Sequence, residues 1–205
     1  MRIVGVSGAQ GCGKSSLLEE LKARGYQVDD FKVSRTVQKQ LGWEKLDTVM
    51  DNWETMKRFQ EAVLKAKYEH DLGLKKLSRP GTILTERTFF DISAYTVLWV
   101  EKFIYRGDIS VTLASEWYLD YLKRANTYQL DIYDVVINVP LMSHIPVEND
   151  PRRAARVDAE VIEKLITTKC LKSDLDIIMI TKHSISDRAD EVESALNELN
   201  VPKLI

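Results

Sequence analysis

Two hydrophobic rhythms alternate along the chain. Continuous or β-branched apolar runs occur at 2–7, 82–85, 134–140 and 175–181, and a shorter one at 26–31 carries Asp29 and Asp30. Between them apolar residues recur every three or four positions, the helical period. The pattern predicts helices at 15–24 (closed by Gly25), at 34–41 (stopped near Gly42) and from the cap Asp51-Asn52 towards the turn Pro80-Gly81. Further helices are predicted at 90–105 and 112–128, with Gly107-Asp108 as the break, then one through about 168 and a last one at 186–199. In the long helix Trp53, Met56, Phe59, Val63 and Ala66 share one face; in the last, Val192, Leu196 and Leu199 do. Such stripes are read as core, although an aromatic one could also line a pocket. Strands separated by helices in this way predict an α/β fold: a parallel sheet of about five strands with helices on both faces. The runs at 135–139 and 177–180 do not alternate with polar residues, as expected of strands covered on both sides.

Composition narrows the class. A chain of 205 residues with 44% hydrophobic and 29% charged residues fits an ordinary globular protein, expected as one domain over 1–205 with a lid at about 141–157. Net charge is −2 and basic residues are dispersed, which disfavours a sequence-independent nucleic-acid binder. Cys12 and Cys170 form neither a metal-ligand spacing nor a disulfide framework, so a cytoplasmic setting is expected. The first strand starts too early to leave room for a secretory leader, and no apolar run approaches the ~20 residues that span a bilayer. Helices rich in Trp and Tyr at 90–128 could serve as core, as a base-stacking surface or as a homodimer interface.

Chemistry concentrates first at Gly8-Ala9-Gln10-Gly11-Cys12-Gly13-Lys14-Ser15-Ser16, which satisfies G-x-x-x-x-G-K-[ST] between a strand and a helix. Such a loop wraps backbone N–H groups around phosphate oxygens, and the helix N-terminus adds a partial positive charge. Lys14 is expected on the β- and γ-phosphates and the Ser15 hydroxyl on Mg²⁺, so ATP and Mg²⁺ are the cofactors implied. A second feature is Glu86-Arg87-Thr88 at a strand end. Its carboxylate could hold Mg²⁺ or accept a proton, and its arginine could grip phosphate; a plain surface ion pair is the other reading. A third is Arg152-Arg153-x-x-Arg156 before a helix. Cations there oppose the helix dipole and call for an anion nearby, as on a closing lid. Asp29 and Asp30 could orient or deprotonate an acceptor hydroxyl, or be solvated loop acids.

Taken together, these stretches resemble the nucleoside and nucleotide kinases that carry a phosphate loop. The likeness is nearest to a branch of small kinases and AAA-labelled ATPases that includes bacterial nicotinamide-riboside kinases and many phage proteins. It runs through GAQGCGKS at 8–15, VDDFKVSR at 28–35, Phe59-Gln60, TILTERTFFDISAY at 82–95 and the stretch 135–158. The resemblance implies the three-layer P-loop NTPase fold and an arginine-bearing lid with Arg152, Arg153 and Arg156. It also implies a strand-end carboxylate–arginine pair, Glu86 and Arg87, leading into Asp91 and Ala94-Tyr95. Lys14, Asp30, Glu86, Arg87 and the three lid arginines are the catalytic candidates, Ser15 and Glu86 the metal candidates, and a small nucleoside or nucleotide the acceptor. Glu86-Arg87-Thr88 differs from the D-R-Y of thymidylate kinases, and the second strand lacks the Glu-Pro of deoxynucleoside kinases. The resemblance therefore assigns neither of those substrates. A regulatory ATPase and a kinase of nucleic-acid hydroxyls are the rival readings.

Overall fold

Five parallel strands make one sheet in the order β2-β3-β1-β4-β5, with β1 at its centre. The structure is a computed structural model and describes residues 1–45, 51–77, 81–141 and 156–201. In chain order the elements are β1 (Arg2–Ser7), α1 (Lys14–Ala23), β2 (Gln27–Asp29), α2 (Val33–Gln40), α3 (Trp53–Lys75) and β3 (Thr82–Glu86). Then follow α4 (Phe89–Tyr105), α5 (Val111–Ile132), β4 (Val135–Asn138), α6 (Arg156–Leu171), β5 (Asp176–Met179) and α7 (Ile185–Glu198). This is the architecture expected from the hydrophobic pattern: an α/β P-loop NTPase fold in three layers.

Side chains of β1 alternate between two cores, as the two-residue strand period requires. Val4 and Val6 pack with Leu17, Leu18 and Leu21 of α1 and Val192 and Leu196 of α7. Ile3 packs on the other face with Met56, Phe59 and Val63 of α3, Phe89 and Phe103 of α4, and Ile162 of α6. The aromatic stripe is thus mainly core: Trp53 meets Phe103 and Trp117 edge-on, at 6.0 and 5.4 Å between ring centroids. Tyr105 is the exception, 93% exposed. Among the described residues no helix is long and apolar enough to cross a membrane.

Several boundaries shift for local reasons. Strand β2 stops at Asp29 because the Asp29 carboxylate accepts the Phe31 N–H at 3.4 Å, turning the chain away from β3. Helix α5 continues past Tyr128 to Ile132, since no Gly or Pro interrupts it there. The expected cap at Asn52 is present, its side chain accepting the Thr55 N–H at 2.8 Å. Most of the segment expected as a lid, with Arg152 and Arg153, lies outside the described residues. Arg156 opens α6.

Register brings the carboxyl ends of the central strands level: Val6 lies beside Glu86, and Ser7 beside Asn138. Gly5 lets the next layer approach, because a Cβ there would meet the Thr88 methyl at 2.5 Å and the Tyr133 ring at 3.1 Å. Gly5→Ala should therefore destabilise the fold by about 1–3 kcal/mol, the usual overpacking cost, read as a lowered urea midpoint with unchanged slope.

Candidate active site

The loop after β1 owes its path to glycine. Gly8 has φ +147°, and a Cβ there would lie 2.4 Å from the Val139 carbonyl oxygen. Gly13, at φ +94° and ψ 15°, is the left-handed N-cap of α1. No acid occupies the first turn of α1, so the positive end of its dipole is uncompensated within the helix. Lys14 is buried and its Nζ donates to the carbonyls of Gly8 and Ala9 at 2.7 and 2.8 Å. Ser15 and Ser16 are exposed on the same turn.

Glu86 ends β3 directly across from this turn. Its Oε2 accepts from the Ser15 hydroxyl at 3.5 Å and from Lys32, just before α2, in an ion pair. Burial alone would raise the Glu86 carboxyl; the bond and charge of Lys32, with Lys14 and Arg87, hold it below the usual carboxylate value. It is a stable anion and a weak proton acceptor while Lys32 stays in place. Arg87 follows at φ +69°, a left-handed backbone uncommon for a residue with a Cβ, and its N–H donates to Val6 O at 2.9 Å. Its guanidinium lies 5.0 Å from the Tyr95 ring centroid and 3.7 Å from the Asp91 carboxylate.

Asp91 ties these pieces together. It is fully buried, and its Oδ2 accepts from the Ser7 hydroxyl at 2.7 Å, Thr88 N at 2.9 Å and Thr88 Oγ1 at 3.0 Å. Its Oδ1 accepts the Gly8 N–H at 3.1 Å. One carboxylate thus closes the capping box of α4 and anchors the first residue of the phosphate loop. Tyr95, one turn on, accepts the Gln10 N–H at 3.1 Å.

Beneath the strand ends a second polar web is buried. The Lys67 ammonium donates to Asp71 at 3.0 Å, Thr85 Oγ1 at 2.7 Å and the Glu86 carbonyl at 3.2 Å. Tyr133 donates to Asp71 at 2.6 Å and to the Arg87 carbonyl at 3.3 Å. Burial raises the carboxyl of Asp71 and pushes the Tyr133 hydroxyl well above its ordinary value. The Asp29 carboxylate accepts from His70 Nε2 at 3.0 Å, and His70 stacks on Phe31 at 3.9 Å. Asp29, His70 and Asp71 offer atoms within 4.8 Å of one another, a spacing a cation could use. The Lys67 ammonium already neutralises Asp71 there, so the trio reads as part of the web.

Of the sequence candidates, the structure brings together Lys14, Ser15, Glu86 and Arg87. Asp30 is exposed one residue beyond the β2–β3 pairing, while Asp29 makes the contacts. Lys32, Lys67 and Tyr95 carry roles the motifs did not assign. Asp91 was visible only as a residue trailing the Glu-Arg pair.

The model of a family described as an AAA domain matches residues 3–188. The chain belongs to that family. No curated protein matches it significantly by sequence. Among solved structures, the fold is shared with a deoxyadenosine kinase from M. mycoides with products dCMP and a flexible dCDP bound. That match has a TM-score of 0.67 at 15% identity and covers 96% of this chain and 99% of that one. The same enzyme with bound dATP matches at TM-score 0.61 and 16% identity, covering 95% and 99% of the two chains. The NadR protein in complex with NR matches at TM-score 0.68 and 12% identity, over 100% of this chain and 53% of that one.

Two outcomes follow from the site's charges. Asp91→Ala leaves its buried donors without a partner and should cost about 3 kcal/mol in a urea titration, with nucleotide binding lost at temperatures where the variant is still folded. For Glu86 the native carboxyl titrates below its unfolded value of 4.5, so its stabilisation is complete above that pH and fades as pH falls through the lower native value. Glu86→Gln should flatten the acid limb of the stability–pH curve, measured by urea midpoints between about pH 3 and 6.

Proposed function

We propose that the protein is an ATP- and Mg²⁺-dependent phosphotransferase whose acceptor is a small nucleoside, nucleoside monophosphate or related metabolite. The observation that carries this is the placement of Glu86 at 3.5 Å from Ser15, level with the start of α1 and beside Arg87. A triphosphate loop alone serves many NTPases; a carboxylate–arginine pair on the neighbouring strand end supplies a second, acceptor-facing half. Shared fold with a deoxyadenosine kinase and with NadR in complex with NR supports the same class of acceptor.

In this reading Lys14 exchanges its bonds to the Gly8 and Ala9 carbonyls for phosphate oxygens, and the loop N–H groups hold the remaining oxygens. Ser15 and Glu86 would hold Mg²⁺, which when bound spreads and neutralises charge on the phosphate chain. Glu86 suits that task because Lys32 and its neighbours keep it ionised. Arg87, braced by Tyr95, steadies the transferred phosphoryl group, and Arg152, Arg153 and Arg156 close over it from the lid. The acceptor hydroxyl then loses its proton to Asp30, exposed at the end of β2, or to Glu86 after Lys32 has moved away.

The test is one incubation with γ-labelled ATP and a panel of nucleosides, monophosphates, riboside metabolites and oligonucleotides. Label should pass to a small nucleoside-like acceptor, and Lys14→Ala should lower transfer by about 100-fold or more and remove stabilisation by ATP. Hydrolysis with label on no acceptor would replace this reading with a regulatory ATPase. Label on oligonucleotides alone would make it a nucleic-acid kinase.

A further inference from the structure

Arg188, in the first turn of α7, is fully buried and is the bulkiest of the wholly enclosed side chains among the described residues. It shares the inner face of α7 with Ala189, Val192 and Leu196, a setting that ordinarily takes an aliphatic residue. Its Nε donates to the Lys182 carbonyl at 3.0 Å and its Nη1 to the Cys12 carbonyl at 2.8 Å. Nη1 also lies 3.0 Å from where a Gly13 Cβ would sit, so the guanidinium backs directly onto the phosphate loop. Among the described residues no carboxylate hydrogen-bonds it, and its buried Nη2 has no partner. Burial pushes the guanidinium down from its ordinary pKa. A cation so placed is costly, and the dipole of α7 opposes it too. Neutral carbonyls explain its orientation and not its charge.

The peptide between Cys12 and Gly13 links that charge to the loop. A trans peptide is planar, with C=O and N–H pointing opposite ways. Holding the Cys12 carbonyl towards α7 therefore aims the Gly13 N–H away from α7, at the N-terminal end of α1. A charge-assisted bond on the carbonyl also polarises the N–H and strengthens it as a donor. We infer that Arg188 is a positioning residue for polyphosphate: it fixes and polarises the Gly13 N–H, and the bound phosphate chain supplies negative charge to a guanidinium that no carboxylate among the described residues hydrogen-bonds. The ligand class is the triphosphate moiety itself, whatever base or acceptor accompanies it. This rests on the nucleotide reading of Gly8–Ser15 and extends it to α7 and to the Lys182 carbonyl on the loop before α7.

The experiment measures calorimetric affinity of the full chain for inorganic tripolyphosphate and for ATP, in wild type, Arg188→Met, Arg188→Lys and Lys14→Ala. Arg188→Met should bind both about 10- to 100-fold more weakly, by the same factor, at temperatures where the ligand-free variant is still folded. Arg188→Lys should restore part of the affinity. In the wild type, nitrogen-edited NMR should show the Gly13 amide and the Arg188 Nε–H both shifting when tripolyphosphate binds, a readout that needs no variant to fold. Unchanged affinity in Arg188→Met while Lys14→Ala abolishes binding would overturn the role of Arg188 alone, as would unmoved Gly13 and Arg188 resonances. A wild type that binds neither ligand would overturn the nucleotide reading beneath it.

Discussion

A single buried carboxylate sets the geometry on which the site depends. Asp91 has no exposure, and a carboxyl group in that position is tolerated only where its lone pairs are occupied. Ser7, Gly8 and Thr88 occupy them from two different connections, one after β1 and one after β3. The strand register levels the two connections, and Asp91 then locks them to each other. That is why the phosphate loop and the Glu86-Arg87 corner hold a fixed relation although they are far apart in sequence. The absence of a side chain at Gly5 is a condition of the same arrangement, because it leaves room for the Thr88 methyl and the Tyr133 ring.

The corner itself is held from below. Arg87 adopts a left-handed backbone that costs roughly 1 kcal/mol for a residue with a Cβ. Its N–H is bound to β1, and its carbonyl receives Tyr133 from the web of Lys67 and Asp71. Lys67 meanwhile holds the carbonyl of Glu86. Two consecutive peptides are thus fixed on both sides, which leaves the carboxylate and the guanidinium little freedom except in their own rotamers. Both side chains are partly buried, and their backbone is held by bonds from the core.

Much of this was legible beforehand, for physical reasons that differ by residue. Phosphate binding by backbone needs glycine at fixed spacing, so Gly8 to Ser15 announces itself, and buried parallel strands read as unbroken apolar runs. Glu86 and Arg87 were legible because a polar pair that ends such a run sits at a strand's carboxyl end. The partners were not. Lys32 and Lys67 are lysines among 29 basic residues, and only the fold decides which are drawn into a web. Arg188 is harder still: a basic residue in an amphipathic helix reads as a solvated face, and its neighbours Asp187 and Asp190 strengthen that impression. Asp29 and Asp30 are adjacent, so the alternation of the strand sends them to opposite sides, and small differences in where β2 ends choose between them.

Preorganisation follows from how the cations are kept. Lys14 is 4% exposed, and the two loop carbonyls have taken over much of the role of its water shell. Arg188 is likewise dry and bound only to neutral carbonyls. Lys14 need not shed a full hydration shell when an anion arrives, so exchanging a carbonyl for a charged oxygen would gain the stronger, charge-assisted bond at little desolvation cost, while Arg188 keeps its carbonyls and acts through the loop. Glu86 is the counterweight: an anion within the field of Lys14, Lys32 and Arg87, it prevents the corner from becoming a general anion trap. In the proposed reading a phosphate chain would settle on the loop side of that carboxylate, and an acceptor approaching the far side would meet Arg87 and Lys32. On that reading the division between a donor half and an acceptor half would be electrostatic before it is steric.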